Sequence, residues 1–372
     1  MTENPTPPLS LLFVVPSLHG GGAEFVARTW MGWLVEQGHT VSVVTTAKVA
    51  DEAHLPAGVA AYTVRTAKGH LAKARAVQDL FEVTGADLAV GLQAHANLVL
   101  ITAAMLARGA GPRVIISERN LVSLGLPGSS RAHRAKVWMA RRLYSRADHV
   151  IAISHPVGGE LVAGFGVRGD RMTVVANPAT AKIGGRERVP RETGIENGVQ
   201  LVLPCRLVEQ KRPELAIATA AELTRRGIRA EVVSFGGGPL LDSMVAAASA
   251  SGVTFVNHGW VEDWFAHFDE NAVVLLPSVR EGFGNVLVEA AAVGVPSVAV
   301  SGALGVADAI VPGITGELAL TEHPADLADA VIRASKLEVT GIDAWLDRFS
   351  VESSGRDLSR VFGLVLDRAD AA

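Results

Sequence analysis

Short apolar runs rich in β-branched residues alternate along the chain with longer segments of helical periodicity. The first half contains the runs LLFVVPS, TVSVVTT, DLAVGLQ, RVIISE, HVIAIS and MTVVANP, with helical patterns that end near Gly38 and extend from about Leu71 to Val83. Continuous apolar runs separated by helices are typical of parallel strands whose sheet is covered on both faces. The pattern therefore predicts a parallel α/β fold.

The alternation is interrupted at residues 181–198, AKIGGRERVPRETGIENG, and then resumes. The second half contains VQLVLPCRL, AEVVSFG, TFVNHGW, AVVLLPS and SVAVSG, a helix from Pro213 to Arg226, and helical patterns after Thr321. Since 372 residues suffice for two ordinary cores, we predict two doubly wound Rossmann-like domains, residues 1–182 and 183–344. The carboxyl ends of their strands are expected to face each other across a central cleft, where α/β sheets bind ligands.

The composition narrows the class of protein. The chain is 49% hydrophobic with a net charge of −4, which argues against nucleic acid as a partner. Its one cysteine, Cys205, cannot form an internal disulfide, and MTENPTPPLS lacks the basic and apolar regions of a secretory signal. Each apolar run stops short of the roughly 18 residues that span a bilayer. We expect a cytoplasmic protein whose membrane contact is at most peripheral, at the inner face.

The segment HGGGAEF follows the first predicted strand and opens a helix. Its position brings the backbone N–H groups of Gly21 and Gly22 where an anion or a substrate can approach them. A tight strand-to-helix turn explains the same residues. A nicotinamide site would need G-x-G-x-x-G and an acidic residue at the end of the second strand, but that strand ends in Thr45 and Thr46.

Two cations follow the strand VQLVLPC, Arg206 directly and Lys211 just before the next helix. An arginine fork and a lysine point charge at the carboxyl end of a strand can hold a diphosphate. Solvated surface cations in a loop are the alternative.

The segment SVREGFGNVLVEAAAVG carries two glutamates eight positions apart, Glu281 in a glycine turn and Glu289 in the helix that starts near Asn285. The backbone N–H groups of Phe283, Gly284 and Asn285 and the positive end of that helix suit a phosphate. Glu281 can reach the hydroxyls of a sugar, and Glu289 those of a ribose beside the phosphate. The alternative, two solvated charges at a helix start, explains Glu289 poorly within LVEAAAVG.

In this order, HGGGAE, R-x-x-x-x-K at Arg206 and Lys211, FGGGP, HGWVED and PSVREGFGNVLVEA resemble the GT-B-fold retaining glycosyltransferases of family four, the group 1 glycosyl transferases. The resemblance covers essentially the whole chain. It implies a nucleotide-sugar donor on the C-terminal domain, with catalytic roles for Arg206 and Lys211 on the diphosphate and for Glu281 on the sugar. The donor-binding residues that it implies are Gly21, Gly22, Gly237, Trp260, Val261, Phe283, Gly284, Asn285, Val286 and Glu289.

The same resemblance implies that the last helix, about 345–372, packs back on the N-terminal domain, and that the anomeric configuration is retained by front-face attack. The leaving phosphate oxygen then takes the proton of the acceptor. The chain has no D-x-D pair and no His/Cys cluster with ligand spacing, so we expect neither a metal nor another cofactor. Preorganised cations and N–H groups are expected to stabilise the departing nucleoside diphosphate instead.

The acceptor side departs from the family pattern. Many relatives carry a histidine after the fifth strand, where this chain has SERN, and Glu118, Arg119 and Asn120 become acceptor-side candidates. Similar S-E-x-N segments occur in relatives that extend polyprenyl-linked oligosaccharides, which favours a lipid-linked acceptor over a sugar or a small-molecule glycoside. His95 is a further candidate, although a lone histidine at a strand end is more often structural.

The segment 131–146, RAHRAKVWMARRLYSR, combines six basic residues with Trp138 and Leu143. A basic amphipathic helix of this kind can lie on an anionic membrane. The alternative is an ordinary helix that packs its apolar stripe on the sheet.

The hypothesis that fits these observations is a metal-independent retaining transferase that moves a hexose-type sugar from a nucleoside diphosphate to a hydroxyl acceptor. A nucleotide-sugar 2-epimerase of the same fold is an alternative, which would need acid and base groups around the sugar ring. A non-catalytic sugar-nucleotide-binding protein is another, and it would be expected to lose part of the set Arg206, Lys211 and Glu281.

Overall fold

The computed structural model describes residues 7–49, 52–108, 111–124, 130–261 and 263–370, which form two compact units. The first unit is Met1–Pro178 with Arg348–Ala372, and the second is Ala179–Asp347. The division falls shortly before the predicted boundary at residue 182, because the 3-10 turn Ala179–Lys182 packs on a helix of the second unit.

Each unit holds one parallel sheet within the described residues. The strands of the first sheet are β1 (Ser10–Val15), β2 (Thr40–Thr45), β3 (Ala60–Thr63), β4 (Leu88–Leu92), β5 (Arg113–Glu118), β6 (His149–Ala152) and β7 (Met172–Val174), in the order β3-β2-β1-β4-β5-β6-β7. Those of the second are β8 (Val199–Leu203), β9 (Ala230–Ser234), β10 (Thr254–Asn257), β11 (Ala272–Leu276), β12 (Ser297–Val300) and β13 (Gly316–Ala319), in the order β10-β9-β8-β11-β12-β13. The two doubly wound sheets that were predicted are confirmed.

Helices connect most of these strands. They are α1 (Gly22–Glu36), α2 (His70–Thr84), α3 (Ala94–Leu106), α4 (Arg131–Leu143), α5 (His155–Phe165), α6 (Glu214–Arg225), α7 (Leu241–Ser251), α8 (Asn285–Ala292), α9 (Pro324–Ala334), α10 (Asp343–Leu346) and α11 (Val351–Asp370). Among the described helices, none is long and apolar enough to cross a membrane. No group of three or more His, Cys, Asp or Glu side chains in the described ranges could hold a metal ion.

The core of the first unit joins the two ends of the chain. Alternate residues of β1, such as Leu11 and Phe13, pack with apolar side chains of α1 and α11. Trp30 of α1 donates its indole N–H to Ser354 Oγ of α11 at 2.8 Å, and that hydroxyl donates to Ala176 O at 2.6 Å. The last helix is therefore part of the first unit.

The core of the second unit packs α6, α7 and α9 against one face of its sheet. Strands β8 and β11 are neighbours with parallel register, from Ala272 beside Gln200 to Val274 beside Val202. The loops that follow them therefore leave the same edge of the sheet side by side. These loops carry Arg206 and Lys211 after β8 and Glu281 after β11.

Candidate active site

Hydrogen bonds fasten the loop after β8 to the loop after β11. The Val279 N–H donates to Gln210 O at 2.9 Å, and Gln210 Nε2 donates to Arg280 O at 3.2 Å. Arg212, in the left-handed region at φ 44°, donates from Nε to Pro277 O at 3.0 Å and from Nη2 to Ser278 O at 3.2 Å. Gln210 and Arg212 were not predicted, and only their place in the run Q-K-R after a strand could have indicated them.

Lys211 and Glu281 form an ion pair at this junction. Lys211 Nζ donates to Glu281 Oε1, which also accepts from Ser278 Oγ at 2.5 Å. The two charged side chains are 17% and 10% exposed, whereas Arg206 at the end of β8 is exposed. The site thus combines a shielded ion pair with an accessible guanidinium, a charge arrangement suited to a ligand with both phosphate and hydroxyl groups.

A third loop, after β12, holds Glu281 from its other side. The Glu281 N–H donates to Ala303 O at 2.9 Å, and the Gly305 N–H donates to Glu281 O at 3.2 Å. A Cβ at Gly305 would collide with the Glu281 carbonyl. Between these contacts, the backbone of Leu304 has φ 63° and ψ −69°, which is strained for a residue with a side chain. In addition, 43% of the surface of Leu304 is exposed. The sequence did not indicate this loop.

Helix α8 begins at Asn285, where the sequence predicted it. Its N-cap is Gly284 at φ 108°, which has no side chain to cap the helix, and the Phe283 ring is buried just before it. Asn285 and Val286 are half-buried. The first backbone N–H groups of a helix have no acceptor within it, so a phosphate contact at this end stays a prediction.

Glu289 lies one turn into α8 with 1% of its surface exposed, and Glu281 is also buried. The alternative of two solvated charges is therefore wrong. Lys182 Nζ lies 3.5 Å from Glu289 Oε1, and neither carboxylate oxygen accepts a well-formed hydrogen bond within the described residues. Burial raises the pKa of the Glu289 carboxyl, while the Lys182 ammonium and then the Trp264 side chain oppose that shift.

The remaining residues of the predicted donor site follow β9 and β10, on the far side of β8 from Glu281. Gly237 is exposed and accepts the Leu207 N–H at 3.0 Å, while a Cβ at its neighbour Gly238 would collide with Leu207 O. Trp260 is 75% exposed and Val261 is half-buried. In the HGWVED motif, residue 262 lies outside the described residues.

The predicted residues of the first unit follow β1 and β4, which are neighbouring strands. Gly21 and Gly22 are exposed at the start of α1, and Glu24 of the same helix accepts a 2.9 Å hydrogen bond from Gln93 Nε2. His95 is half-buried in the first turn of α3. Burial lowers the pKa of His95, and basic neighbours on α2 and α4 lower it further.

The SERN segment at the end of β5 turns two charged side chains inward. Glu118 Oε1 accepts hydrogen bonds from Asn97 Nδ2 at 2.8 Å and from the Tyr144 hydroxyl. Burial raises the pKa of the Glu118 carboxyl to about 7, although both hydrogen bonds oppose the shift. Arg119 donates to Asn177 Oδ1 and to Ser117 Oγ and lies over the Trp30 ring.

Asn120, which is half-buried, accepts the Leu121 N–H with its own Oδ1 at 2.9 Å. Glu118 and Arg119 are only 2% and 8% exposed. All three side chains are thus engaged by the protein itself, and an acceptor contact for any of them stays a prediction.

Two protein-family models match the chain. "Glycosyl transferase 4-like domain" matches residues 21–178, within the first unit, and "Glycosyl transferases group 1" matches residues 198–336, within the second.

Two curated relatives illustrate the sequence similarity. The "D-inositol 3-phosphate glycosyltransferase" of Nocardia farcinica is 31% identical over 206 residues, 51% of this chain and 46% of the relative. The "GDP-mannose-dependent alpha-(1-6)-phosphatidylinositol monomannoside mannosyltransferase" of Mycolicibacterium smegmatis is 27% identical over 278 residues, 69% of this chain and 72% of the relative. The match thus spans about half the length of the first relative.

Solved structures resemble nearly the whole chain. Anabaena HepE, in complex with UDP and glucose, has a TM-score of 0.70 at 19% identity and covers 95% of this chain and 99% of its own. The lipopolysaccharide outer core galactosyltransferase WaaB has a TM-score of 0.75 at 17% identity, over 95% and 98%. The resemblance seen in the motifs is confirmed: the chain belongs to the group 1 glycosyl transferases, and its two parallel sheets are those of the GT-B fold.

Proposed function

We propose that the chain is a retaining glycosyltransferase that moves a hexose-type sugar from a nucleoside diphosphate to a hydroxyl acceptor. The Lys211–Glu281 pair, fixed between the loops after β8 and β11, is the observation that carries this proposal. The similar proteins are also named as glycosyltransferases or mannosyltransferases. HepE holds UDP and glucose, and the mycobacterial relative is named for GDP-mannose, which supports a nucleotide-sugar donor.

The proposed chemistry assigns each charge a role. Arg206 and Lys211 bind the diphosphate and stabilise the charge that develops as it leaves, which is electrostatic catalysis by preorganised groups. Glu281 accepts a hydrogen bond from a hydroxyl of the transferred sugar. The acceptor oxygen forms the new bond to the anomeric carbon as the bond to the leaving phosphate oxygen breaks. That phosphate oxygen takes the acceptor's proton, so the scheme requires no metal.

The acceptor is proposed to be a polyol or a lipid-linked glycan. The similar proteins are named for inositol phosphate and for phosphatidylinositol mannoside. We place the enzyme in the cytoplasm, in peripheral contact with an anionic membrane through residues 131–146.

Two measurements test this function. A thermal-shift panel of UDP, GDP and ADP should reveal the carrier, since a ligand that binds only the folded state raises stability. Donor turnover is then measured with an acceptor mixture, in wild type, Arg206→Ala, Lys211→Ala and the control Arg225→Ala, an exposed arginine of α6. We expect losses on the order of 100-fold in the first two variants, a normal control, and no effect of excess chelator.

Each failure identifies a different error. Formation of an epimer from the donor alone supports the epimerase, and binding without turnover supports the non-catalytic protein. Loss of activity with chelator that returns with Mg²⁺ overturns the metal-free scheme. Normal turnover in both site variants overturns the diphosphate assignment.

A further inference from the structure

Glu289 is a buried carboxylate on α8 with little to compensate its charge. Its neighbours on the helix, Val288 and Ala290, are apolar and fully buried. Neither of its oxygens accepts a well-formed hydrogen bond from the described part of the chain. Burying an ionised carboxylate without hydrogen bonds is costly, and such a group either takes up a proton or is paired with a cation. Its charge state in the folded protein therefore depends on its nearest cation.

That cation is Lys182. It ends the 3-10 turn Ala179–Lys182, which packs on α8, and its ammonium lies 3.5 Å from Glu289 Oε1. A charged hydrogen bond would be shorter, about 2.7–2.9 Å. The lysine thus supplies charge to the carboxylate and leaves its hydrogen-bonding capacity for another donor.

We propose that Lys182 is a positioning residue for donor binding, which keeps Glu289 ionised and oriented to accept hydrogen bonds from ribose hydroxyls. This inference rests on the proposed function. Burial raises the pKa of Glu289 and Lys182 opposes that rise, so removal of the lysine lets the carboxyl take up a proton at higher pH. A protonated carboxyl donates from one oxygen and has lost its negative charge, so it accepts hydrogen bonds from the ribose hydroxyls less strongly.

Calorimetry with UDP, GDP and ADP tests whether Lys182 acts on nucleotide binding through Glu289. The proteins compared are wild type, Lys182→Met, Lys182→Arg, Glu289→Gln and Lys182→Met/Glu289→Gln. We expect Lys182→Met to lose about tenfold in affinity at mildly acidic pH, as for one charged hydrogen bond, and less at mildly alkaline pH. Lys182→Arg should restore wild-type affinity. In the Glu289→Gln background, Lys182→Met should have no further effect. If Lys182→Met lowers the affinity as much in the Glu289→Gln variant as in wild type, and by the same factor at every pH, the proposal is overturned.

Denaturant unfolding as a function of pH tests the ion pair without any nucleotide. Because the folded pKa of Glu289 lies above its unfolded value, stability falls as pH rises from the unfolded pKa through the folded one. Lys182→Met should extend this fall to higher pH, and the double variant should abolish it. If wild type binds none of UDP, GDP and ADP, the proposed function fails, while the stability profile still decides the role of Lys182. Parallel profiles for wild type and Lys182→Met overturn that role.

Discussion

The two glutamates of the REGFGNVLVEA segment have the same side chain but different surroundings. Glu281 meets an ammonium and a hydroxyl at a junction of three loops. Glu289 meets an ammonium at a longer distance inside a helix packed in the core. In the proposed function, Glu281 binds the transferred sugar at this junction, and Glu289 binds the ribose beside α8.

We therefore expect Glu281→Gln and Glu289→Gln to fail in different ways. Glu281→Gln should lower turnover strongly and bind the nucleoside diphosphate nearly as wild type, because that ligand lacks the sugar and Lys211 remains to bind phosphate. Glu289→Gln should weaken the nucleoside diphosphate and the intact donor alike, by about 1.5–3 kcal/mol for one charged hydrogen bond. Calorimetry with both ligands measures the difference.

Glu209→Gln is the matched control, since Glu209 is an exposed glutamate of the loop after β8. It should change neither turnover nor binding. Equal weakening of the nucleoside diphosphate by Glu281→Gln and Glu289→Gln would contradict the division of roles.

Leu304 provides a test of strain beside Glu281. Positive φ costs a residue with a side chain about 1–3 kcal/mol, whereas glycine adopts it freely. Leu304→Ala loses the contacts of the leucine side chain but keeps the strain, whereas Leu304→Gly loses both. The free energy of unfolding of Leu304→Gly should therefore exceed that of Leu304→Ala by about 1 kcal/mol or more. Chemical denaturation measures both, and Gly305→Ala should be less stable than wild type because of its collision with Glu281. If Leu304→Ala is as stable as Leu304→Gly, the backbone is not strained.

The candidate site residues that the sequence singled out stand next to a recognisable end of a strand or helix. Arg206, Lys211 and Glu281 follow apolar strands, and α8 starts at the predicted Asn285. Residues whose role depends on a distant segment were missed. Arg212 contacts Pro277, 65 positions away, and Lys182 contacts Glu289. No local pattern encodes such pairs, since they exist only after β8 and β11 become neighbours and the 179–182 turn docks on α8.

At the scale of elements, α4 is unusually exposed for a helix of a doubly wound unit. Ala140 is its one buried residue, and Trp138 is 59% exposed, with Arg142 lying 5.4 Å from its ring centre. All six basic residues of the segment 131–146 are exposed. Tyr144, which follows the helix, is buried and donates to Glu118, so this end of the helix is anchored while its charged surface is not covered.

We expect this helix to bind anionic membranes. Each basic residue near such a surface contributes about 1 kcal/mol, so Arg141→Gln/Arg142→Gln should weaken binding to vesicles of phosphatidylcholine and phosphatidylserine by about 2 kcal/mol. Co-sedimentation should also fall with added salt. The control is Arg356→Gln/Arg360→Gln, two exposed arginines of α11.

If wild type binds neutral and anionic vesicles equally, α4 is an ordinary surface helix and does not bind anionic membranes. Equal losses in the α4 and α11 variants would show that net charge alone matters.

Two strands were not predicted, for a common reason. Strands β3 and β13 have four residues each, AAYT and GELA, and lie at sheet edges. Edge strands are covered less completely, so they need no continuous apolar run. The central strands, buried on both faces, were all visible as such runs.

At the scale of the whole molecule, the doubly wound architecture could be predicted from the sequence, because apolar runs that alternate with helical patterns indicate it directly. The packing of the last helix on the first unit could be predicted only from the family resemblance. Its apolar stripe fits any core surface, and the polar contact that fixes it joins Trp30, Ala176 and Ser354 from three distant parts of the chain.

This contact predicts the stability of the first unit. Ser354→Ala leaves the Trp30 N–H and the Ala176 carbonyl buried without their partner, so the free energy of unfolding should fall by about 2 kcal/mol. Ser353→Ala, on a less buried side of α11, should change it by less than about 0.5 kcal/mol. Denaturant titration compares them, and equal effects would show that the three-way contact contributes nothing specific.

The order of synthesis gives the return of α11 a further consequence. The second unit is one continuous stretch, Ala179–Asp347, whereas the first needs residues on both sides of it. A ribosome adding about 5–20 residues per second takes roughly 10–40 s to pass from Pro178 to the end of α11. Throughout that interval the apolar side of α1 around Trp30 and Met31 lacks its cover. The second unit can therefore complete its folding on the ribosome before the first, and the apolar side of α1 stays exposed until α11 has been made.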